Sequence, residues 1–220
     1  MKDTYTDTGI YTYSDLTKLL GISRARIKGL VDGHKYKDRP SGSAVIDKKS
    51  FIFEDKEYFT FLDLIELKFI QHFMKHGVKR NTIIKSYHYA KEELKKEHPF
   101  ATKFTSDQIN IFMDNNKVLV NSIGGQISLR ELSEQVLLDG IDFKDDIAAR
   151  WTPYKDIPEV ILDPHYRYGM PVLKDYNVKT ETLYDAFVAE KENVDNVSEW
   201  FNMPSELIVK AVEFERRLAA

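Results

Sequence analysis

Residues 11–31, YTYSDLTKLLGISRARIKGLV, constrain the fold most: two apolar stripes of helical period are separated by a single glycine. Leu16, Leu19 and Leu20 line one side of a first helix that Ser14 can cap. Gly21 stands where the chain must leave that helix, because glycine enters the left-handed backbone region without a Cβ clash. Ser23 can cap a second helix whose apolar positions are Ile27, Leu30 and Val31. Between them lie Arg24, Arg26 and Lys28. A second helix that is aliphatic on one side and basic at its start is the pattern of a DNA-binding helix-turn-helix, in which that helix enters the major groove. Ser23, Arg24, Arg26 and Lys28 are therefore the expected DNA contacts. The competing reading is structural, since two short amphipathic helices around a glycine also pack in proteins that never meet DNA.

The segments after Val31 favour the first reading. Residues 33–39 are polar and turn-rich, and Pro40-Ser41-Gly42-Ser43 is a loop. The apolar runs Ala44-Val45-Ile46 and Phe51-Ile52-Phe53 flank Asp47-Lys48-Lys49-Ser50 and read as a hairpin. A hairpin directly after a helix-turn-helix is a wing, and Lys48 and Lys49 at its tip are expected on phosphate. A solvated turn accounts for the two lysines equally well. Thr60 then opens a helix with Asp63 as its capping-box partner. Leu62, Ile65, Phe69 and Phe73 share one face, and Leu64, Leu67, Ile70 and Met74 widen it, which predicts burial on most sides. Gly77 ends that helix, and another spans residues 79–97, stopping before Pro99.

Composition narrows the class. The chain has 220 residues and no cysteine, so there is no disulfide, thiolate metal site or cysteine nucleophile. Its start is polar, without the apolar core of a signal peptide. The most apolar stretch, residues 59–74, is interrupted by Asp63, Glu66, Lys68 and His72, so no membrane span is expected. A cytoplasmic protein is the expectation. Charge is uneven. Residues 1–100 carry 19 Lys and Arg against 14 Asp and Glu, whereas residues 101–220 carry 13 against 21. A basic front and an acidic back fit a nucleic-acid face joined to a part that meets protein.

Residues 108–113 and 117–123 read as strands around Asp114-Asn115-Asn116, and Gly124-Gly125 turns into residues 126–129, making a small meander. Residues 131–156 are acidic and irregular and read in part as a linker, with Trp151 and Tyr154 as aromatic anchors for a partner or as packed side chains. Three helices are expected at residues 180–191, 194–201 and 205–218. The last begins with acid, the wrong end for phosphate, so dimerisation or protein contact suits it better.

The motifs Tyr13-Ser14, Leu19-Leu20-Gly21-Ile22-Ser23, Phe61-Leu62-Asp63-Leu64 and His76-Gly77-Val78 resemble MerR-like winged helix-turn-helix domains over residues 10–97. The long dimerising helix of that family stops here at Pro99, and its metal-sensing thiols are absent. The resemblance implies DNA binding and not metal sensing. Ile161-Leu162-Asp163-Pro164, Gly169-Met170-Pro171-Val172, Val197-Ser198-Glu199-Trp200-Phe201 and Ala211-Val212-Glu213-Phe214-Glu215 resemble a small domain family of bacterial antitoxins. Where that family commonly has Gly-Thr and a further Pro, Asp175-Tyr176-Asn177 stand instead. Together the halves resemble a VapB-type antitoxin, which implies a PIN-domain ribonuclease toxin as partner.

The expected fold is mainly α with small β-hairpins (α+β). It divides into a winged helix-turn-helix domain (1–97), a β-meander with an acidic connection (98–156) and a C-terminal helical domain (157–220). The expected function is a DNA-binding antitoxin that neutralises the toxin and represses its own operon as a homodimer. The alternative is a stand-alone MerR-like regulator whose rear domain dimerises or binds a ligand. No enzyme and no cofactor are expected. His72 and His76 lie four apart on a helix, but no HExxH and no third ligand accompany them. Asp163 and His165 flank a proline at a strand end, where capping a turn is the ordinary role.

Overall fold

The computed structural model describes residues 8–33, 42–92, 95–103 and 140–219. The expected meander at residues 108–129 and the acidic stretch 131–139 lie outside the described residues. Within them the fold is α+β, with seven helices and small antiparallel sheets. No helix of the described residues is long and apolar enough to cross a membrane.

The helices α1 (Tyr13–Leu20) and α2 (Arg24–Val31) have eight residues each, too few to be stable alone. Caps and packing hold them. Thr12, two residues earlier than expected from Ser14, caps α1 in a reciprocal box with Asp15. Gly21 ends α1 at φ 62°, and a Cβ there would meet nothing, so its backbone angle alone calls for glycine. The Ser23 side chain caps α2 by accepting from the Arg26 N–H at 3.3 Å. Leu16, Leu20, Ile27, Leu30 and Val31 then pack on α3 (Phe61–Lys75) in one core. Ten of the fifteen α3 residues are buried, as the width of its apolar face predicts. Two of these are acids. Asp63 closes the capping box with Thr60 and accepts the Lys49 N–H at 3.0 Å; Glu66 accepts the Phe100 N–H at 3.2 Å. The next helix, α4 (Arg80–Glu92), is shorter than the expected 79–97, because Lys95 turns into positive φ before Pro99 is reached.

The wing differs from expectation by one strand. It consists of β1 (Phe51–Phe53) and β2 (Lys56–Tyr58), with Glu54 and Asp55 both at positive φ in the turn between them. Val45 and Ile46 are not a strand; both are buried in the core, and the Val45 N–H donates to the α2 carbonyl of Leu30 at 2.7 Å. Lys48 and Lys49 therefore precede the wing instead of tipping it.

The expected linker is also corrected where it is described. β3 (Ile141–Lys144) and β4 (Ile147–Trp151) form a hairpin, again with two acids, Asp145 and Asp146, at positive φ in the turn. Ile141, Ala148 and Trp151 enter the front core beside Phe100 and Ala101. Residues 98–103 and 140–151 thus extend the front unit, because alternating apolar residues of the hairpin find the exposed side of its core.

The rear unit begins with strands β5 (Val160–Ile161), β6 (Val172–Leu173) and β7 (Val178–Lys179), ordered β5-β6-β7 and antiparallel throughout. The helices α5 (Thr180–Ala189), α6 (Val194–Phe201) and α7 (Ser205–Ala219) come next and bury a second core of Leu183, Phe187, Val197, Ile208, Val212 and Phe214 against Val160 and Leu173. The front meets the rear at Tyr11. Its hydroxyl donates to Gly169 O at 2.6 Å, and Ile10 N–H donates to Tyr168 O at 2.9 Å. A Cβ on Gly169 would lie 2.3 Å from that hydroxyl, and φ there is 80°, so only glycine fits.

Candidate nucleic-acid interface

Burial divides α2 cleanly. Ile27, Leu30 and Val31 face the core, while Ser23, Arg24, Ala25, Arg26 and Lys28 are exposed. No acid lies in its first turn, so the positive end of the helix dipole and two arginines point the same way. Arg24 and Lys28, one turn apart, both lean on the Tyr13 ring, at 4.8 Å and 5.8 Å from its centroid. Arg26 has no ion-pair or ring partner among the described residues, which leaves its guanidinium open to a phosphate or a base edge.

Two long-range anchors fix this helix. Arg80 donates to Gly29 O at 2.5 Å and to Ser43 O at 2.7 Å, satisfying a carbonyl in the last turn of α2. Gln71, buried on α3, donates to Leu20 O at 2.7 Å and holds the end of α1. Neither residue is marked by any local pattern; each pairs across 51 positions.

Lys48 serves as a strut instead of a phosphate contact. Its ammonium bonds Asp32 Oδ1 at 2.5 Å and also Glu57, tying the end of α2 to the wing. Ser50 and Tyr13 donate to the same Glu57 carboxylate, at 2.7 Å and 3.1 Å. Burial disfavours the Lys48 charge, but its bonds to Asp32 and Glu57 outweigh that and raise its pKa above the ordinary lysine value. Glu57 is lowered in turn: burial opposes its charge, and the bonds from Lys48 and Ser50 prevail. Tyr13, beside Glu57 and Asp32, is pushed well up by burial and by those charges. Lys49 is exposed and pairs with Glu97 at 3.3 Å. The cation that the wing does present is Lys56, next to the acidic pair Glu54 and Asp55. A cleft of about 420 Å³ runs between α2 and the wing, with Arg24, Lys28 and Lys56 facing Asp32, Asp55 and Glu57. Positive charge is therefore concentrated on the outer side of α2.

The expected partner anchors fare differently. Trp151 is only 4% exposed, sits in the front core and has Lys68 over its ring at 5.3 Å. It is a packing residue because β4 turns it inward and bridges it to Leu162. Tyr154 is half-buried against Phe214, with Arg217 over its ring at 5.2 Å. Trp200, on α6, is the most exposed aromatic among the described residues of the rear unit, at 64%, ahead of Tyr168 and Tyr176; Val188 on α5 and Val209 on α7 are exposed as well. Trp200 was readable from the helical wheel, since it falls to one side of the stripe formed by Val194, Val197 and Phe201.

His76 and His165 each have a local partner. His76 Nδ1 lies 2.9 Å from His72 O, and no group of three or more metal-binding side chains occurs among the described residues. Asp163 is buried and accepts from Arg150 and from the His165 N–H and Nδ1, which makes it the cap of the turn after β5.

No protein-family model matches the chain, and no curated protein matches it. Among solved structures it is similar to the X-ray crystal structure of Rv2018 from Mycobacterium tuberculosis, with a TM-score of 0.69 at 18% identity. The likeness covers 92% of this chain and 96% of that one, so the two share a fold from front to rear.

Proposed function

We propose that the chain is the DNA-binding antitoxin of a toxin–antitoxin pair. It grips double-stranded DNA through α2, represses its own operon, and holds a PIN-domain ribonuclease with its rear unit. The observation that carries this reading is the outward face of α2: Ser23, Arg24, Arg26 and Lys28 are exposed together on a helix whose other side is locked into the core. Phosphate contacts supply affinity in such a complex, and the same exposed helix brings base-reading side chains to the major groove. A two-fold dimer fits the reading, because two short recognition helices on successive half-sites supply contacts that one cannot.

The toxin half rests on the acidic balance after residue 100, on the resemblance to antitoxins, and on the exposed apolar side chains of the rear helices. Trp200 takes the anchoring role first expected of Trp151 and Tyr154. The test uses fluorescence anisotropy on the DNA upstream of the gene. Arg24→Ala, Arg26→Ala and Lys28→Ala combined should weaken binding at least tenfold and flatten the salt dependence by about one unit per lost phosphate contact. A folded triple variant with wild-type affinity would falsify the assignment. Co-expression with the neighbouring reading frame tests the partner: Trp200→Ala should lose neutralisation at an unchanged melting temperature.

A further inference from the structure

Away from α2, a groove of about 420 Å³ opens where the start of α3 meets the β3–β4 hairpin and the turn after β5. Its walls come from both the front core and the rear unit. Phe61, Ile147 and Pro164 give it an apolar lining. Four basic side chains from four separate places in the chain converge on it: Lys49, His98, Lys144 and His165, against one acid, Asp145. The DNA-binding reading uses none of them.

The state of each basic group bears on what the groove takes. Lys144, at the hairpin tip, has no ion-pair partner among the described residues. Lys49 holds Glu97 at 3.3 Å, but both side chains are exposed, and such a pair exchanges readily for an incoming anion. His165 is fixed by its Nδ1 contact to Asp163 at 2.9 Å, which leaves Nε2 as its open ring nitrogen. His98 Nδ1 is buried and has no hydrogen-bond partner, an unmet requirement that a ligand atom or water would fill. Burial lowers the His98 pKa, so its ring is neutral at pH 7 and contributes a dipole instead of a charge. The groove thus combines an apolar body with cationic side chains at its rim.

We propose that this junction groove binds a small carboxylate carrying an apolar ring or tail, with Lys144 and Lys49 pairing the carboxylate and Phe61, Ile147 and Pro164 covering the apolar part. The site does not depend on the DNA-binding reading. Because a bound molecule touches α3, the hairpin and the turn after β5 together, its occupancy ties the front unit to the rear.

The test is displacement of the anionic fluorophore anilinonaphthalene sulfonate from the full chain. Octanoate should displace it from one saturable site, and octanamide, its neutral counterpart, should need at least tenfold higher concentration. Lys49→Gln with Lys144→Gln should weaken octanoate at least fivefold without moving the melting temperature. Ala149→Trp, which narrows the groove from a partly exposed lining position, should block it. If the double variant is unstable, Lys144→Gln alone, at an exposed turn, gives the same reading at about half the effect. The proposal is overturned if octanamide competes as well as octanoate, if the lysine variants bind octanoate like wild type, or if no saturable site exists.

Discussion

Arg24 and Lys28 reach the same Tyr13 ring from successive turns of α2, while Arg26 stands apart. Contact with the ring restrains the first two, so on the proposed DNA-binding function Arg26 would give up more side-chain freedom than they do. Tyr13→Leu should therefore weaken the proposed DNA binding about two- to fivefold, whereas Tyr13→Phe, which keeps the ring and loses only the hydroxyl with its hydrogen bond to Glu57, should weaken it less; anisotropy on the two variants separates the ring from the hydroxyl. Glu66 offers a second test on a single side chain. Burial pushes its carboxyl well above the usual carboxylate range, so the folded chain keeps a proton that the unfolded chain releases near pH 4.3. The unfolded state then binds fewer protons, and this group makes stability fall as pH rises above about 4.3 until the folded group also ionises. Glu66→Gln removes that dependence. Its melting temperature should match wild type near pH 4.5 and exceed it increasingly as pH rises from there, at up to about 1.4 kcal/mol per pH unit, until the folded wild-type carboxyl also ionises.

Among the elements, the two hairpins share a device. Glu54-Asp55 and Asp145-Asp146 occupy turns in which both central residues have positive φ. That geometry matches the twist of paired strands and is usually met by Asn-Gly or Asp-Gly; here three aspartates and Glu54 take it. The consequence is a wing whose tip repels phosphate, which, on the proposed function, leaves α2 as the element that meets DNA. The β3–β4 hairpin makes its main contribution through Trp151, sunk into the front core. Trp151→Ala should destabilise the chain by about 3–5 kcal/mol through the cavity it leaves. Trp200→Ala, on the outside of α6, should change stability by less than about 0.5 kcal/mol. Denaturant titration of the two variants checks the contrast; equal losses would place Trp200 in a packed interior as well.

Across the whole molecule, the front and rear units meet through Leu162, which packs in the front core and bridges Trp151, and through a few polar contacts. The Tyr11 hydroxyl donates to Gly169 O, 158 residues away, with Arg150 and Asp163 paired nearby at 3.1 Å. Tyr11 is wholly buried, and its phenol is pushed well above the ordinary value by burial and by Asp15 and Asp163, so it stays a donor at any physiological pH. Tyr11→Phe keeps the ring and leaves the Gly169 carbonyl unpaired, which should cost about 1–3 kcal/mol. Two-probe unfolding, with the front followed by Trp151 and the rear by Trp200, should then show transitions that separate. Light scattering at micromolar concentration should give the mass of a dimer; a monomer with and without DNA removes the two-half-site reading.

Much of the fold was legible in the sequence where its cause is local. The Thr60–Asp63 box, the Ser23 cap, the Gly21 stop and the bounds of α6 arise from hydrogen bonds and backbone preferences that span four residues or fewer. The exposed basic side of α2 comes from the same periodicity that buries Ile27, Leu30 and Val31. The roles of Lys48, Arg80, Trp151 and Tyr11 were decided elsewhere. Lys48 looked like a wing tip because its neighbours are polar, yet Asp32 and Glu57, 16 and 9 residues away, claim its ammonium. Trp151 sat in an acidic stretch that read as a linker, and only the closing of the hairpin onto Phe100 and Ala101 turns it inward. Local patterns set helix ends because caps act within a turn of chain. Which charges are held in struts, and which aromatics are left outside, is settled by contacts between distant segments, and those exist only once the two cores have formed.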